Sequence, residues 1–400
     1  MNKRKRALTN VGGRVAARGD PEAARLLARA LTVESGGGLD RWTHGFHTYP
    51  ARMHPDTAAV LVGALSRPGD VVLDPFCGSG TVVLEAMVAA RRAVGRDLGP
   101  LAVRLTRLRC AVTSETQRTA VREVARRVAG IAEARSRDGA EPEAPAAVGR
   151  WQNRFDLVTY TQLAWLRALL ARERDAFARE ALELVLAAIL VKVSRQVSDT
   201  DRRVRPGRSA GATRLFRAKA DELARMLGRL ARDARRAQAP RADMREDDAR
   251  TLGTVEPGSV DAVVTSPPYP NVYDYAEHHA LRACWLGLDD GGLREGEVGS
   301  RRSFAGVAQG LARWDRDGAA WVAAVARVLR PGGRAAVLCG DGATSECPVL
   351  FDECLGRWAE NAGLRVVATA SQSRRAFDDE TRRAFTGRAR REHLVLLEKP

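Results

Sequence analysis

A chain of 400 residues with 45% hydrophobic content holds ample core for one large domain or two ordinary ones. Its 65 Lys+Arg against 49 Asp+Glu leave a net charge of +16. Such a surplus favours a polyanionic partner, because neutralised phosphates release counterions; plain Arg and Ala enrichment of a GC-rich genome is the other source of the same composition. Its 6 Cys are scattered with no CxxC pair, which excludes a disulfide scaffold and a Cys-based zinc site and fits a reducing compartment. The most apolar run, Leu184 to Val191, is far too short to span a bilayer, so a cytoplasmic protein with no membrane partner is expected.

Residues 1–40 read as a basic tail, MNKRKRALTN, then a short helix over Pro21–Leu31 and a flexible Gly36-Gly37-Gly38 joint. RWTHGFHTYPARMHP follows, before an apolar helix from Thr57 to Leu65. His44, His47 and His54 match no HExxH-type helix and two prolines break the segment, so no metal is expected.

Val71–Thr81, VVLDPFCGSGT, runs three apolar residues into an acid, turns at Gly78 and Gly80, and opens an apolar stretch with helical spacing. This is strand, tight loop, helix. Glycine permits positive φ and close approach of the backbone to a ligand, and the N–H groups of the helix start face an acceptor. A Walker loop needs Gly-Lys-Ser/Thr and a dinucleotide loop needs GxGxxG; here Gly80 is followed by Thr81, Val82 and Val83, so neither phosphate reading fits. RAVGRD ends a second strand at Asp97, placed either to accept both ribose hydroxyls of a nucleoside or to cap the helix after Gly99-Pro100.

From about Leu101 to Pro240 apolar residues recur at helical spacing in 101–112, 119–134, 160–171, 176–195 and 214–234, with a low-complexity joint at SRDGAEPEAPAAVGR. The last third is Arg-loaded, either a solvated helical face or a tracker of phosphates, and a second basic cluster stands at RRAFDDETRRAFTGRARR. Regular α/β order resumes at ADMREDDARTL.

SVDAVVTSPPY is then a buried strand of β-branched residues with Ser266-Pro267-Pro268-Tyr269 at its carboxyl end, where open α/β sheets place their sites. Two prolines lock an extended corner that lacks two backbone donors and keeps its carbonyl acceptors, which is what an exocyclic amine requires. Asn271, Asp274 and Tyr275 continue a polar, aromatic loop suited to substrate contact. VLRPGGRAAVLCGD, LRVVATAS and EHLVLLEKP supply the last three strands of a doubly wound, mostly parallel, seven-stranded α/β sheet.

DPFCGSGT and TSPPY in one chain, each in a fitting strand context, resemble the DNA amino methyltransferase family over roughly 42–112 and 243–400. The resemblance implies a class I methyltransferase (Rossmann-like) fold split by a large helical insertion. The layout is 1–40 tail and helix, 41–112 first part of the methyltransferase domain, 113–240 insertion and candidate target recognition, and 241–400 second part. It implies S-adenosylmethionine, held by Asp74, Pro75, Phe76, Gly78, Ser79, Gly80, Thr81 and Asp97, with Asp248 against the adenine amino group and Tyr49 and His47 at the methionine end.

It also implies methylation of a base amino group in duplex DNA. Ser266 Oγ and the Pro267 carbonyl would accept the two N–H bonds, Pro268 would stiffen the corner, and Tyr269 would offer a plane to the base taken from its stack, or pack under the loop. Within the family Ser at the first motif position accompanies cytosine N4 and Asp or Asn adenine N6, so a site-specific cytosine-N4 enzyme of restriction-modification or defence type, with a cognate nuclease as possible partner, is expected. Adenine N6 methylation, RNA guanine N2 methylation and a nucleic-acid-binding module without turnover are the alternatives. Cys77 lies inside the cofactor loop and reads as packing, not as the thiol nucleophile of ring-carbon methylation.

Overall fold

Short β-branched runs bounded by Gly, Pro and Asp set the central strands, and the computed structural model, which describes residues 13–33, 38–140, 142, 146–198, 203–204, 211–345, 347–376 and 379–400, has ten strands among the described residues. In chain order these are β1 (Val15–Gly19), β2 (Val71–Asp74), β3 (Arg92–Asp97), β4 (Asp243–Glu246), β5 (Val260–Thr265), β6 (Leu329–Gly340), β7 (Gly342–Ala343), β8 (Pro348–Val349), β9 (Arg365–Ser373) and β10 (Arg391–Glu398). β7 and β8 form a separate antiparallel pair; the rest make one sheet in the order β1-β9-β10-β6-β5-β2-β3-β4.

From β2 the chain steps outward through β3 and β4 and returns to pair β5 with β2 in parallel. This reversal is the switch point of a doubly wound fold, and it opens a crevice between the carboxyl ends of β2 and β5. β10 is antiparallel to both of its neighbours, β6 and β9. All seven strands expected from the sequence are present. The eighth, β1, was not expected: VAARG is mostly exposed at the sheet's edge, so no apolar alternation marks it, and backbone pairing with β9 from Val15↔Gln372 to Gly19↔Ala368 holds it. Residues 15–19 are thus sheet and not tail.

Alternation along the central strands fills both faces. Val72, Ala262, Val264, Ala336 and Leu338 point into one core with helices Pro21–Leu31, Pro55–Leu65 and Thr81–Val88; Leu73, Val263, Ala335 and Val337 point into the other with Val307–Val328 and Phe351–Asn361.

The insertion folds as helices Glu115–Arg137, Leu157–Ala171, Ala176–Val193 and Ala212–Arg236 around a core of its own that includes Val121, Leu163, Leu186, Phe216 and Leu227. Leu281 and Trp285, from the helix Tyr275–Leu286 that follows the diproline corner, are buried in that same core. Helix Ala212–Arg236 buries an apolar stripe and turns Arg214, Arg217, Arg225, Arg232 and Arg236 to solvent, the exposure that a solvated face and a tracker of phosphates share; residues 199–202 and 205–210, and the joint at 34–37, lie outside the described residues. Among the described residues no helix is long and apolar enough to cross a membrane.

Candidate active site

The glycine loop is fixed from three sides. Gly78 and Gly80 have φ of +50° and +79°, and a Cβ on Gly80 would come 2.3 Å from Thr106, so glycine is required there on both counts. Thr106 Oγ1 donates to the Gly78 carbonyl at 3.0 Å, the Arg109 guanidinium donates to the Ser79 carbonyl, and Cys77 N donates to the Arg96 carbonyl at 3.0 Å. Asp97, at the end of β3, takes Gly78 N–H on Oδ2 and Gly99 N–H on Oδ1, each at 2.8 Å. It therefore ties the loop and starts the next helix, while still lining the pocket.

Across the switch point, Thr265 Oγ1 at the end of β5 donates to Asp74 Oδ1 at the end of β2, 2.7 Å away. This bond joins the strand that carries the glycine loop to the strand that carries the corner. One pocket results, with about 850 Å³ of space counted out to its open mouth, whose walls include Tyr49, Asp74, Pro75, Phe76, Gly78, Ser79, Thr81, Asp97, Asp248, Ser266, Pro268 and Tyr275. The glycine loop and the diproline corner, far apart in sequence, face one space.

Tyr49 and Tyr275 form an aromatic wall with ring centroids 6.1 Å apart at 23°, and a Cβ on Gly78 would come 3.1 Å from Tyr49. Ser79 Oγ and Thr81 Oγ1 are buried in the wall with no hydrogen-bond partner among the described residues. Buried hydroxyls are costly to leave unpaired, so they are poised for the polar end of a ligand. Burial pushes Asp74 up to about 7 and Asp97 up to about 6. Such carboxylates gain most from a cationic guest, and an aromatic, hydroxyl-lined, acidic pocket fits the cationic nucleoside S-adenosylmethionine.

Several expected site residues sit elsewhere or do other work. The ring of His47 is buried among Phe46, Arg282 and Lys219 on the insertion side, with Nδ1 2.7 Å from the Thr48 carbonyl, and does not line the pocket. Tyr269 is buried in the sheet core, edge-on to Phe351 and pressed against Gly340, with its hydroxyl donating to Glu392 at 2.8 Å. Of its two readings the packed one holds, because Gly340 leaves the room that the ring fills. Pro267 is buried behind Ser266 and Pro268 and is not part of the wall.

Asn271 has φ +57° and folds its side chain onto β7, donating to the Ala343 carbonyl at 2.7 Å; Asp274 accepts from Arg302 N at 3.3 Å. Neither lines the pocket, whereas Tyr275 does. Asp248 lines it, but its carboxylate is held by the Arg250 side chain at 2.5 and 3.0 Å, so an adenine contact has to share an oxygen. Gly80 shapes the loop from behind without lining the pocket. Cys77 is buried and its thiol is pushed well above its ordinary value, the state of a packing residue.

One wall escaped the sequence reading. Leu293, Gly296, Glu297 and Val298 also line the pocket. Glu297 is buried, pushed up to about 7, and accepts from Tyr275 N at 2.5 Å and from Arg302 at 3.0 Å, capping the helix Tyr275–Leu286 from outside its own sequence. LREGEV has neither period nor motif, and a buried acid there is indistinguishable in sequence from a surface one. The three histidines of the early segment are engaged separately: His44 with Glu85 at 2.8 Å, His47 with Thr48, and His54 as the cap of its helix.

Residues 32–107 match the family described as DNA methylase. Type II methyltransferase M.EcaI from Enterobacter cloacae is 38% identical over 64 residues, which is 16% of this chain and 14% of that protein. The tRNA (guanine(10)-N2)-dimethyltransferase from Methanothermobacter thermautotrophicus is 41% identical over 51 residues, 12% of this chain and 15% of the relative. These matches thus span only a small part of the relatives' lengths. TrmN from Thermus thermophilus aligns over 86% of this chain and 49% of its own at 16% identity, with a TM-score of 0.31, too low to carry weight. The segment that matches the DNA methylase family thus carries the glycine loop at the switch point of the doubly wound sheet.

Proposed function

We propose that this chain methylates an exocyclic amino group of a base in DNA, cytosine N4 ahead of adenine N6. The observation that carries the reading is that Ser266 and Pro268 line the same pocket as Gly78, Ser79 and Thr81. The bound cofactor supplies an electrophilic methyl on a sulfonium. The chain supplies position: Ser266 Oγ and the corner's carbonyls accept the amine's N–H bonds, which turns the nitrogen lone pair away from the ring and toward the donor. No covalent step through the protein is required. With Tyr269 buried, Tyr49, Tyr275 and Phe76 are the aromatic residues that the pocket wall offers. Ser in place of Asp or Asn at position 266 favours cytosine.

Type II methyltransferases among the relatives support a site-specific enzyme. A cognate nuclease as partner and the insertion as the reader of sequence are part of the same proposal. RNA is the second reading, favoured by the tRNA methyltransferase similarity. The test is incubation with cofactor labelled in its methyl group, offered unmodified genomic DNA and total RNA separately. Label in DNA is expected; label in RNA alone moves the substrate to RNA, and label in neither removes the activity.

A further inference from the structure

The connection between β9 and β10 has no part in the pocket, yet its position gives it one in substrate binding. Because β10 is antiparallel to β6, with Glu392 opposite Gly340, the connection Arg374–Arg390 emerges at the carboxyl edge of the sheet, the edge that carries the diproline corner. It is two strands from β5, about 10 Å at ordinary strand spacing. It is also fastened to the corner. Helix Asp379–Ala384 packs against β7, and β7 takes the side chain of Asn271, two residues past Tyr269. Arg374 is paired with buried Glu392, the acceptor of the Tyr269 hydroxyl.

From 374 to 391 the sequence has seven Arg against three acids. Arg374 and Arg390 are turned inward, and Arg382 is paired with Asp379. Arg375, Arg383, Arg388 and Arg391 are exposed, and among the described residues no acid pairs with any of them. Residues 377 and 378 lie outside the described residues.

Resting on the nucleic-acid reading above, we propose that this connection is a phosphate clamp: Arg375, Arg383, Arg388 and Arg391 hold the backbone of the strand that carries the target base, beside the mouth of the pocket. About 10 Å along duplex DNA is roughly three base-pair steps, so a strand presenting a base to Ser266 passes over these guanidiniums. Unpaired arginines on a fixed scaffold bind phosphate with no preference for sequence. The clamp positions the duplex and leaves base choice to other surfaces.

The test is anisotropy of a labelled 30-base-pair duplex between 50 and 200 mM salt, with the wild type, the triple variant Arg375→Ala/Arg383→Ala/Arg388→Ala, the corresponding triple Lys variant, and Arg67→Ala at the opposite edge as control. Each phosphate contact contributes about 0.9 to the slope of log affinity against log salt, so the triple Ala variant should lose about 2 to 3 from the slope. The loss should be equal on unrelated sequences, the Lys variant should recover most of it, and Arg67→Ala should keep the wild-type slope. Cofactor affinity, read by calorimetry, should stay at the wild-type value and reports that the fold is intact. A wild-type slope in the triple Ala variant overturns the clamp while leaving the function standing. A wild-type protein that binds no duplex at 50 mM overturns the nucleic-acid reading, and the clamp with it.

Discussion

Ser266 and Asp74 show how two single residues divide the work in one pocket. In the proposed reaction Ser266→Ala removes an acceptor for the amine and no cofactor ligand, so turnover should fall about 100-fold while the cofactor dissociation constant stays within about twofold. Single-turnover kinetics with calorimetry checks this, and equal loss of both would recast Ser266 as a cofactor ligand. Asp74, Asp97 and Glu297 are all pushed up by burial, to about 7, 6 and 7. A cationic cofactor favours their ionised forms, so its affinity should weaken as pH falls from 8 through 7 to 5.5, by up to about tenfold per unit for each proton displaced. A flat profile would mean that these acids do not sense the ligand's charge. Without ligand the sign reverses: raised carboxyl values stabilise the fold below the ordinary carboxylate range, and that contribution is lost as pH rises through 6 to 7.

The glycine loop and the diproline corner are the elements that the sequence makes legible. Gly78, Gly80 and two consecutive prolines constrain the backbone whatever surrounds them, and the β-branched runs before them form buried strands at the expected bounds. Side-chain direction after the corner was not legible. Nothing in SPPYPN says that Gly340, seventy residues on, leaves a slot that Tyr269 fills, or that Ala343 offers a carbonyl to Asn271. Likewise β1 is marked only by its pairing with β9 and not by any pattern of its own. Gly80→Ala should be strongly damaging for two separable reasons, the left-handed φ and the clash with Thr106. It should lose about 1 to 3 kcal/mol of stability in urea denaturation, and adding Thr106→Ala should return only part of that, because the φ remains.

On the scale of the molecule, the helical layer between β3 and β4 is bound to the pocket side of the sheet through the helix Tyr275–Leu286. Trp285 is fully buried against Phe155 and Tyr160 of the insertion, at ring distances of 5.8 and 5.9 Å, while Tyr275 at the other end of the same helix lines the pocket. Trp285→Ala should cost about 3 to 5 kcal/mol in denaturant unfolding, as the loss of a large core side chain does. A cost under about 1 kcal/mol would mean that the two cores are independent. The helical repeat between 101 and 234 announced this layer from the spacing of its apolar residues. Its attachment through Trp285 did not show, because a tryptophan after a loop carries no address.

The chemistry itself is tested most directly by nucleoside analysis of DNA methylated by the purified protein, with wild type and Ser266→Ala side by side. One new nucleoside, N4-methylcytosine, is expected in the wild-type reaction and little or none with the variant. N6-methyladenine would keep the amino chemistry and correct the base. Methyl on cytosine C5, or equal product from the variant, would contradict the claim that Ser266 presents an amine to the methyl donor.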